Sequence, residues 1–254
     1  MPDEVLFERS GDVAVVTLNR PRARNAIDEA MANALAEAMD ALDGDDTLAV
    51  GILTGAGGSF CSGMDLKAFL AGERPFVPGR GFGGISERGP EKPLIAAVEG
   101  YALAGGCELA LACDLVVASR EATFGIPEVK RGLVAAAGGL LRLPRRVPPA
   151  VAMEMALTGD PLTAERAHHH GLVNLLTEAG GALEGARALA ARIARNGPLA
   201  VRVSKQVVAT SPGWPADEVW TRQAEAVAPI LTSADAREGA SAFAEKREPR
   251  WTGR

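Results

Sequence analysis

The sequence predicts a mixed α/β unit followed by a layer of helices, and three observations carry that prediction. Residues 94–119, LIAAVEGYALAGGCELALACDLVVAS, read as a buried strand at 94–98, a turn at Gly100, a small-residue break at Ala104-Gly105-Gly106, a short apolar helix at 107–113 and a second buried strand at 115–118. Two strands, ending near Thr54 and Val98, each run into a small-residue turn that precedes a helix. From residue 183 onward the pattern is helical only, so the strand-rich part and the helical part form separate layers.

In chain order, residues 5–8 and 13–18 read as two strands joined at Ser10-Gly11-Asp12, with Asn19-Arg20-Pro21 ending the second. Ile27, Met31, Leu35, Met39 and Leu42 recur at helical spacing, which predicts an amphipathic helix over 28–43, capped by Asp28 or Asn25. Residues 49–54 form a buried strand that feeds the glycine cluster at 55–58 and then SFCSGMDL. The stretch 71–93 is rich in glycine and proline and reads as a mobile loop or lid, or as an unstructured excursion. ATFGIPE, at 122–128, is a strand end and turn, and GLVAAAGGLL, at 132–141, is small and apolar enough to lie against a ligand or to start a close-packed helix. Helices follow at 151–158 and 163–170, then a last strand at 172–177 and helices at 183–195, 198–210, 216–231 and 235–245. Trp214, Trp220 and Trp251 fall in this last layer or its tail, where aromatics suit either a subunit interface or an internal core.

The chain has 254 residues, 47% of them apolar, which is enough for one sizeable core and a smaller appendage. A net charge of −5 gives no global attraction to nucleic acid, so an anionic ligand needs a local basic patch. The N-terminus lacks a charged-then-apolar signal pattern, and Glu99, Glu108 and Asp114 interrupt the long apolar stretch, so no membrane span is expected. Three cysteines without CxxC spacing suit a reducing, cytoplasmic setting better than a disulfide frame or zinc site. His168, His169 and His170 point in different directions on a helix and cannot converge on one metal ion.

Glu108 is a single acid in the first turn of an otherwise apolar helix, directly after Gly105 and Gly106. Acids favour that position on macrodipole grounds alone. Beyond the end of a strand, however, the free N–H groups of a helix N-terminus also form a natural ligand site, and glycines let a ligand approach the backbone.

Five motifs in order, LNRPRARNAI, SFCSGMDL, GYALAGGCELALACD, FGIPEVKRG and FAEKREP, resemble the enoyl-CoA hydratase/isomerase (crotonase) superfamily over nearly the whole chain. PEVKRG, GGLLRLPRRVPPA and AFAEKREPRWTGR look most like its carnitinyl-CoA dehydratases and related hydratases. The resemblance implies an α/β fold built as a spiral of ββα units over residues 1–195, followed by a helical trimerisation domain at 196–254, assembled as a homotrimer or a hexamer of two trimers. It implies an acyl-CoA thioester as substrate, whose oxygen is held by the N–H groups of Ser62 and Gly105, and a water flanked by Glu108 and Glu128. Arg22 and Arg24 would meet the CoA phosphates and adenine, Met64, Asp65 and Leu66 the adenine side, and Phe243 and Lys246 would make a C-terminal CoA contact. Ala136 stands where the family commonly has glycine, so its methyl narrows the space near the water. No metal or redox cofactor is implied. Hydration of a 2-enoyl thioester, double-bond isomerisation or thioester hydrolysis on the same oxyanion hole, and acyl-CoA binding without turnover are the readings to be separated.

Overall fold

The computed structural model describes residues 4–254. In chain order the strands are β1 (Val5–Ser10), β2 (Val13–Leu18), β3 (Val50–Gly55), β4 (Phe76–Val77), β5 (Gly81–Phe82), β6 (Leu94–Val98), β7 (Tyr101–Leu103), β8 (Leu115–Ser119), β9 (Thr123–Gly125), β10 (Leu162–Thr163) and β11 (Leu175–Thr177). The helices are α1 (Glu29–Gly44), α2 (Leu66–Leu70), α3 (Gly105–Ala112), α4 (Gly139–Arg146), α5 (Pro149–Thr158), α6 (Ala164–His169), α7 (Ala182–Ala194), α8 (Pro198–Thr210), α9 (Val219–Leu231) and α10 (Ala234–Glu245). Of the two expected caps of α1, Asp28 takes the role and accepts the N–H of Met31 at 2.9 Å.

A six-stranded sheet runs in the order β1-β2-β3-β6-β8-β11, antiparallel between β1 and β2 and parallel thereafter. A smaller sheet runs β10-β9-β7, and Cys61 bridges to Ala102 of β7 at its edge. Each turn of the chain therefore gives one strand to the large sheet, one short segment to the small one, and then a helix. The sequence from β3 through Cys61 to α2 makes one turn, β6-β7-α3 the next, and β8-β9-α4 the third. This is the expected spiral of ββα units.

Side chains on the central strands alternate in direction, and both faces are covered. Val50, Ile52, Ile95, Ala97 and Val117 pack on Ala182, Ala186 and Ala190 of α7, whose small residues let the helix lie close. Leu53, Leu94, Ala96, Val98, Val116 and Ala118 face the main core with Met31, Leu35 and Met39 of α1 and Leu109 of α3. Glu99 accepts the N–H groups of Gly180 (3.2 Å) and Ala182 (2.9 Å), fixing the start of α7. Lys205 of α8 ties the helical layer to the sheet, reaching the carbonyls of Pro90 (2.7 Å) and Lys92 (2.9 Å) and the Asp114 carboxylate (2.8 Å).

The 71–93 stretch is folded, not an excursion. Its glycines at positive φ, Gly79, Gly81, Gly83 and Gly84, build the β4–β5 hairpin and bring Phe82 and Ile85 into the core. The tryptophans divide. Trp251 lies against Gly197 and Gly239 and donates to the Arg195 carbonyl at 2.8 Å, whereas Trp220 is 78% exposed.

Asn25 explains part of the first motif. It is fully buried in the left-handed region, and its Nδ2 donates to the carbonyls of Ala56 (2.9 Å), Ser59 (2.7 Å) and Phe60 (3.2 Å). It thus holds the loop that leads into SFCSGMDL. Replacing it with alanine leaves two buried carbonyls and one partly buried carbonyl without this donor, and a loss of about 2–3 kcal/mol in urea unfolding is the expected result.

Candidate active site

β6 and β7 deliver the chain to Ala104, a non-glycine residue at φ 52°, ψ −132°. Strain of this kind persists only where its surroundings impose it. Here the Ala104 N–H donates to the Gly125 carbonyl at 2.8 Å, and α3 starts immediately afterwards. No side chain caps α3. Both glycines of its first turn are sterically required: a Cβ on Gly105 would meet the Phe82 ring at 2.5 Å, and one on Gly106 would meet the Cys61 carbonyl oxygen at 2.2 Å. The Gly105 N–H, at the first position of the helix, has no partner within the helix and donates to no acceptor among the described residues.

The second expected donor is not free. Ser62 is committed: its N–H donates to the Arg24 carbonyl at 3.0 Å. Gly63 is committed too, to the Cys61 sulfur at 3.4 Å. Met64 carries the free N–H, with no acceptor among the described residues, although it sits in a bridge with Ile27. Gly63, at φ 100°, lies directly against the start of α3, since a Cβ there would be 3.1 Å from the Gly105 nitrogen. The free amide of Met64 therefore belongs to the residue that directly follows the one packed against the Gly105 nitrogen. Sequence reasoning missed this because a backbone donor leaves no signature in side-chain identity.

Glu108, one turn into α3, is 3% exposed. Its Oε1 accepts the N–H groups of Ala137 and Gly139, both at 2.8 Å. Gly138, between them, adopts φ 97°, so the 137–139 turn curls its amides around the carboxylate as an anion nest. Burial pushes the Glu108 pKa up, opposed by those two N–H bonds and by the Arg142 guanidinium.

Glu128 lies in the 3₁₀ turn Pro127–Arg131 that follows β9, with proline starting the turn. It is half-buried, and its Oε2 is buried with no hydrogen-bond partner among the described residues. Burial raises its pKa from 4.5 to about 6, and the nearby Glu108 charge adds to the rise. A buried carboxylate oxygen without a donor is rare in a folded protein and marks a place prepared for something else to bind.

This shift has a sign that can be checked. The folded state disfavours ionised Glu128, so the charge costs stability above about pH 6, and the cost vanishes below pH 4.5, where the group is protonated folded or unfolded. Glu128→Gln is expected to raise stability at pH 7.5 by about 1 kcal/mol, allowing for its partial exposure, and to leave it unchanged at pH 4. Thermal melts at the two pH values check this.

The other expected residues divide. Arg22 and Arg24 are exposed and enter no ion pair among the described residues, and the Arg24 guanidinium lies 5.7 Å from the Tyr101 ring centre, beside the 61–64 segment. Asp65 is turned inward: it caps α2 through the N–H groups of Lys67 and Ala68 and pairs with Arg20 at 3.0 Å, so its side chain does not face a ligand. Leu66 is 43% exposed and Met64 half-buried. Ala136 is exposed between the buried Ala135 and Ala137. Phe243 is exposed; Lys246 follows α10 in the left-handed region. They lie at the end of α10, which is fixed to the C-terminal tail by Asp235 bonds to Thr252 (2.7 Å) and Gly253 (3.0 Å). His168 bonds the Val173 carbonyl through Nδ1 at 2.9 Å, and no group of three or more His, Cys, Asp or Glu among the described residues is placed to hold a metal ion.

Residues 8–254 match the family model described as enoyl-CoA hydratase/isomerase. The chain is 42% identical to a carnitinyl-CoA dehydratase from Salmonella typhimurium over 263 aligned residues, covering 100% of both chains. Among solved structures it is similar to an enoyl-CoA hydratase from Mycobacterium marinum, with TM-score 0.98 and 62% identity over 99% of this chain and 100% of that one. It is also similar to a carnitinyl-CoA hydratase from Mycobacterium avium, with TM-score 0.79 and 44% identity over 100% of each chain. The chain belongs to the enoyl-CoA hydratase/isomerase family.

Proposed function

We propose that the protein is a hydro-lyase that adds water reversibly across the double bond of a 2-enoyl-CoA thioester. The observation that carries this reading is the pairing of Glu108 and Glu128 beside two free backbone amides. Conjugate addition of water places negative charge on the thioester oxygen, as an enolate, and Met64 N–H and Gly105 N–H are donors available to that charge. Oxygen adds at C3 and a proton at C2, so the reaction needs a base and an acid close together. Glu108, gripped by two N–H groups, suits the group that orients and deprotonates the water. Glu128, with its pKa raised to about 6 and one oxygen unpartnered, suits the group that exchanges the C2 proton. Arg22 and Arg24 supply a local cationic patch for the CoA phosphates on a chain of net charge −5.

Carnitinyl-CoA relatives raise a second substrate, the crotonobetainyl thioester. A quaternary ammonium is recognised by aromatic faces or acids. The 132–141 segment beside Glu108 contains neither and exposes Leu133, Val134 and Leu140 instead, which favours a plain acyl chain. Turnover of crotonyl-CoA, a longer 2-enoyl-CoA, crotonobetainyl-CoA and a 3-enoyl-CoA, followed side by side, tests the reading. Preference for a 2-enoyl alkyl ester is expected, and dominance of the 3-enoyl ester turns the assignment to isomerisation.

The reading extends to a catalytic unit through residue 195 with a helical unit from 196 onward, to a homotrimer or a dimer of trimers, to chemistry without a metal or redox cofactor, and to a cytoplasmic setting. Support for assembly comes from large apolar side chains left in water on the helical layer, Val208, Trp220, Leu231 and Phe243 among them. Sedimentation of the intact protein as a monomer at micromolar concentration would contradict it. No helix among the described residues is long and apolar enough to cross a membrane.

A further inference from the structure

Arg142 is the one charged residue in the first turn of α4, within the apolar run GGLLRL. Its guanidinium is partly buried, yet it enters no ion pair among the described residues. Two backbone carbonyls hold it instead: Nη2 donates to Ser86 at 2.5 Å and Nη1 reaches Ala137 at 3.5 Å. Ser86 belongs to the folded 71–93 stretch, and Ala137 opens the turn whose N–H groups grip Glu108. Gly138 leaves the necessary room, because a Cβ there would lie 2.1 Å from Nη1. A guanidinium removed from water without a contacting carboxylate is costly. Here the charge that acts on it most favourably is Glu108.

We propose that Arg142 is a positioning residue for hydration: it clamps the 137–139 turn against the Ser86 backbone and so fixes the orientation of the Glu108 carboxylate. The proposal rests on the hydratase reading for its kinetic consequence and on geometry alone for its structural one. The groups that face Glu108 are few. α4 presents Arg142, the turn after β9 presents Glu128 with Arg131 beyond it, and α3 itself presents the buried thiol of Cys107. Removing the guanidinium therefore takes away the one cation that acts on Glu108 among the described residues and leaves the acid Glu128 in place.

The test compares Arg142→Met and Arg142→Lys with the parent protein in two readouts. One is kcat and KM on a 2-enoyl-CoA. The other is titration of the Glu108 carboxylate by isotope-edited infrared spectroscopy, assigned with Glu108→Gln, which needs no turnover. For Arg142→Met the expected result is a fall in kcat of about 10- to 100-fold, the scale on which loss of a supporting partner is felt, with KM little changed and Glu108 titrating at higher pH. Arg142→Lys keeps the charge but cannot span both carbonyls, so it should restore the titration and only part of the rate. Parental kcat in either variant overturns the proposal, as does an unmoved Glu108 titration in Arg142→Met. If Arg142→Met does not fold, the lysine variant decides alone: reduced kcat with parental titration supports the proposal, and parental kcat sinks it. A parent without turnover, combined with a shifted titration in Arg142→Met, leaves the clamp standing and removes the hydratase reading.

Discussion

Glu108→Gln and Glu128→Gln are each expected to lower turnover of a 2-enoyl-CoA by about 10²–10⁴, the range of general acid–base catalysis. Either change keeps side-chain shape and abolishes proton transfer. Glutamine at 108 can still accept the N–H groups of Ala137 and Gly139 through its amide oxygen, so the 137–139 turn should survive. In the proposed mechanism both acids act on one water, so the double variant should lose far less than the product of the single losses. Binding of a non-reactive acyl-CoA should barely change, since the proposed thioester recognition runs through main-chain amides. An asymmetric outcome, with one glutamine variant near the parental rate, fits a single-base isomerase instead. The measurement is kcat and KM for the three variants, with calorimetric binding of a saturated acyl-CoA as the control.

The second large effect separates the amides of Ser62 and Met64. Replacing the peptide N–H of Met64 with an ester oxygen removes one donor and alters no side chain. Losing one donor to a developing oxyanion typically costs about 2.7–4 kcal/mol in the transition state, or about 10²–10³ in kcat. The same replacement at Ser62 removes the bond to the Arg24 carbonyl, a structural contact. That change should cost stability by about 1 kcal/mol and leave kcat within a small factor. A large kcat loss at Ser62 with none at Met64 would return the donor role to the position first expected from the sequence.

Much of the fold was legible because the large sheet, β11 excepted, is made of strands five or six residues long, its inner ones strongly apolar, and because α1 carries a clean helical stripe. The small sheet was not legible. β7, β9 and β10 are two or three residues each, too short for any period to show, and they exist through pairing that is distant in sequence. The 71–93 stretch misled by composition. Its glycines signal positive-φ turns inside a packed hairpin, and flexibility has the same composition. Glu108 stood out as a lone acid in an apolar helix. Glu128 came only through the family resemblance, since a carboxylate after a proline reads as solvated surface. Arg142 left a signal that was passed over, a single cation in GGLLRL. The pairing of Asp65 was also hidden, because its partner Arg20 lies 45 residues away.

Water addition between the two glutamates is tested most directly by running the parent protein on a 2-enoyl-CoA in ¹⁸O- and deuterium-labelled water. The expected product is a 3-hydroxyacyl-CoA carrying one ¹⁸O at C3 and one deuterium at C2, with no label in either position when Glu108→Gln is used for the same time. An unchanged 2-enoyl ester that is nevertheless bound, or a product with deuterium but no ¹⁸O, would contradict it.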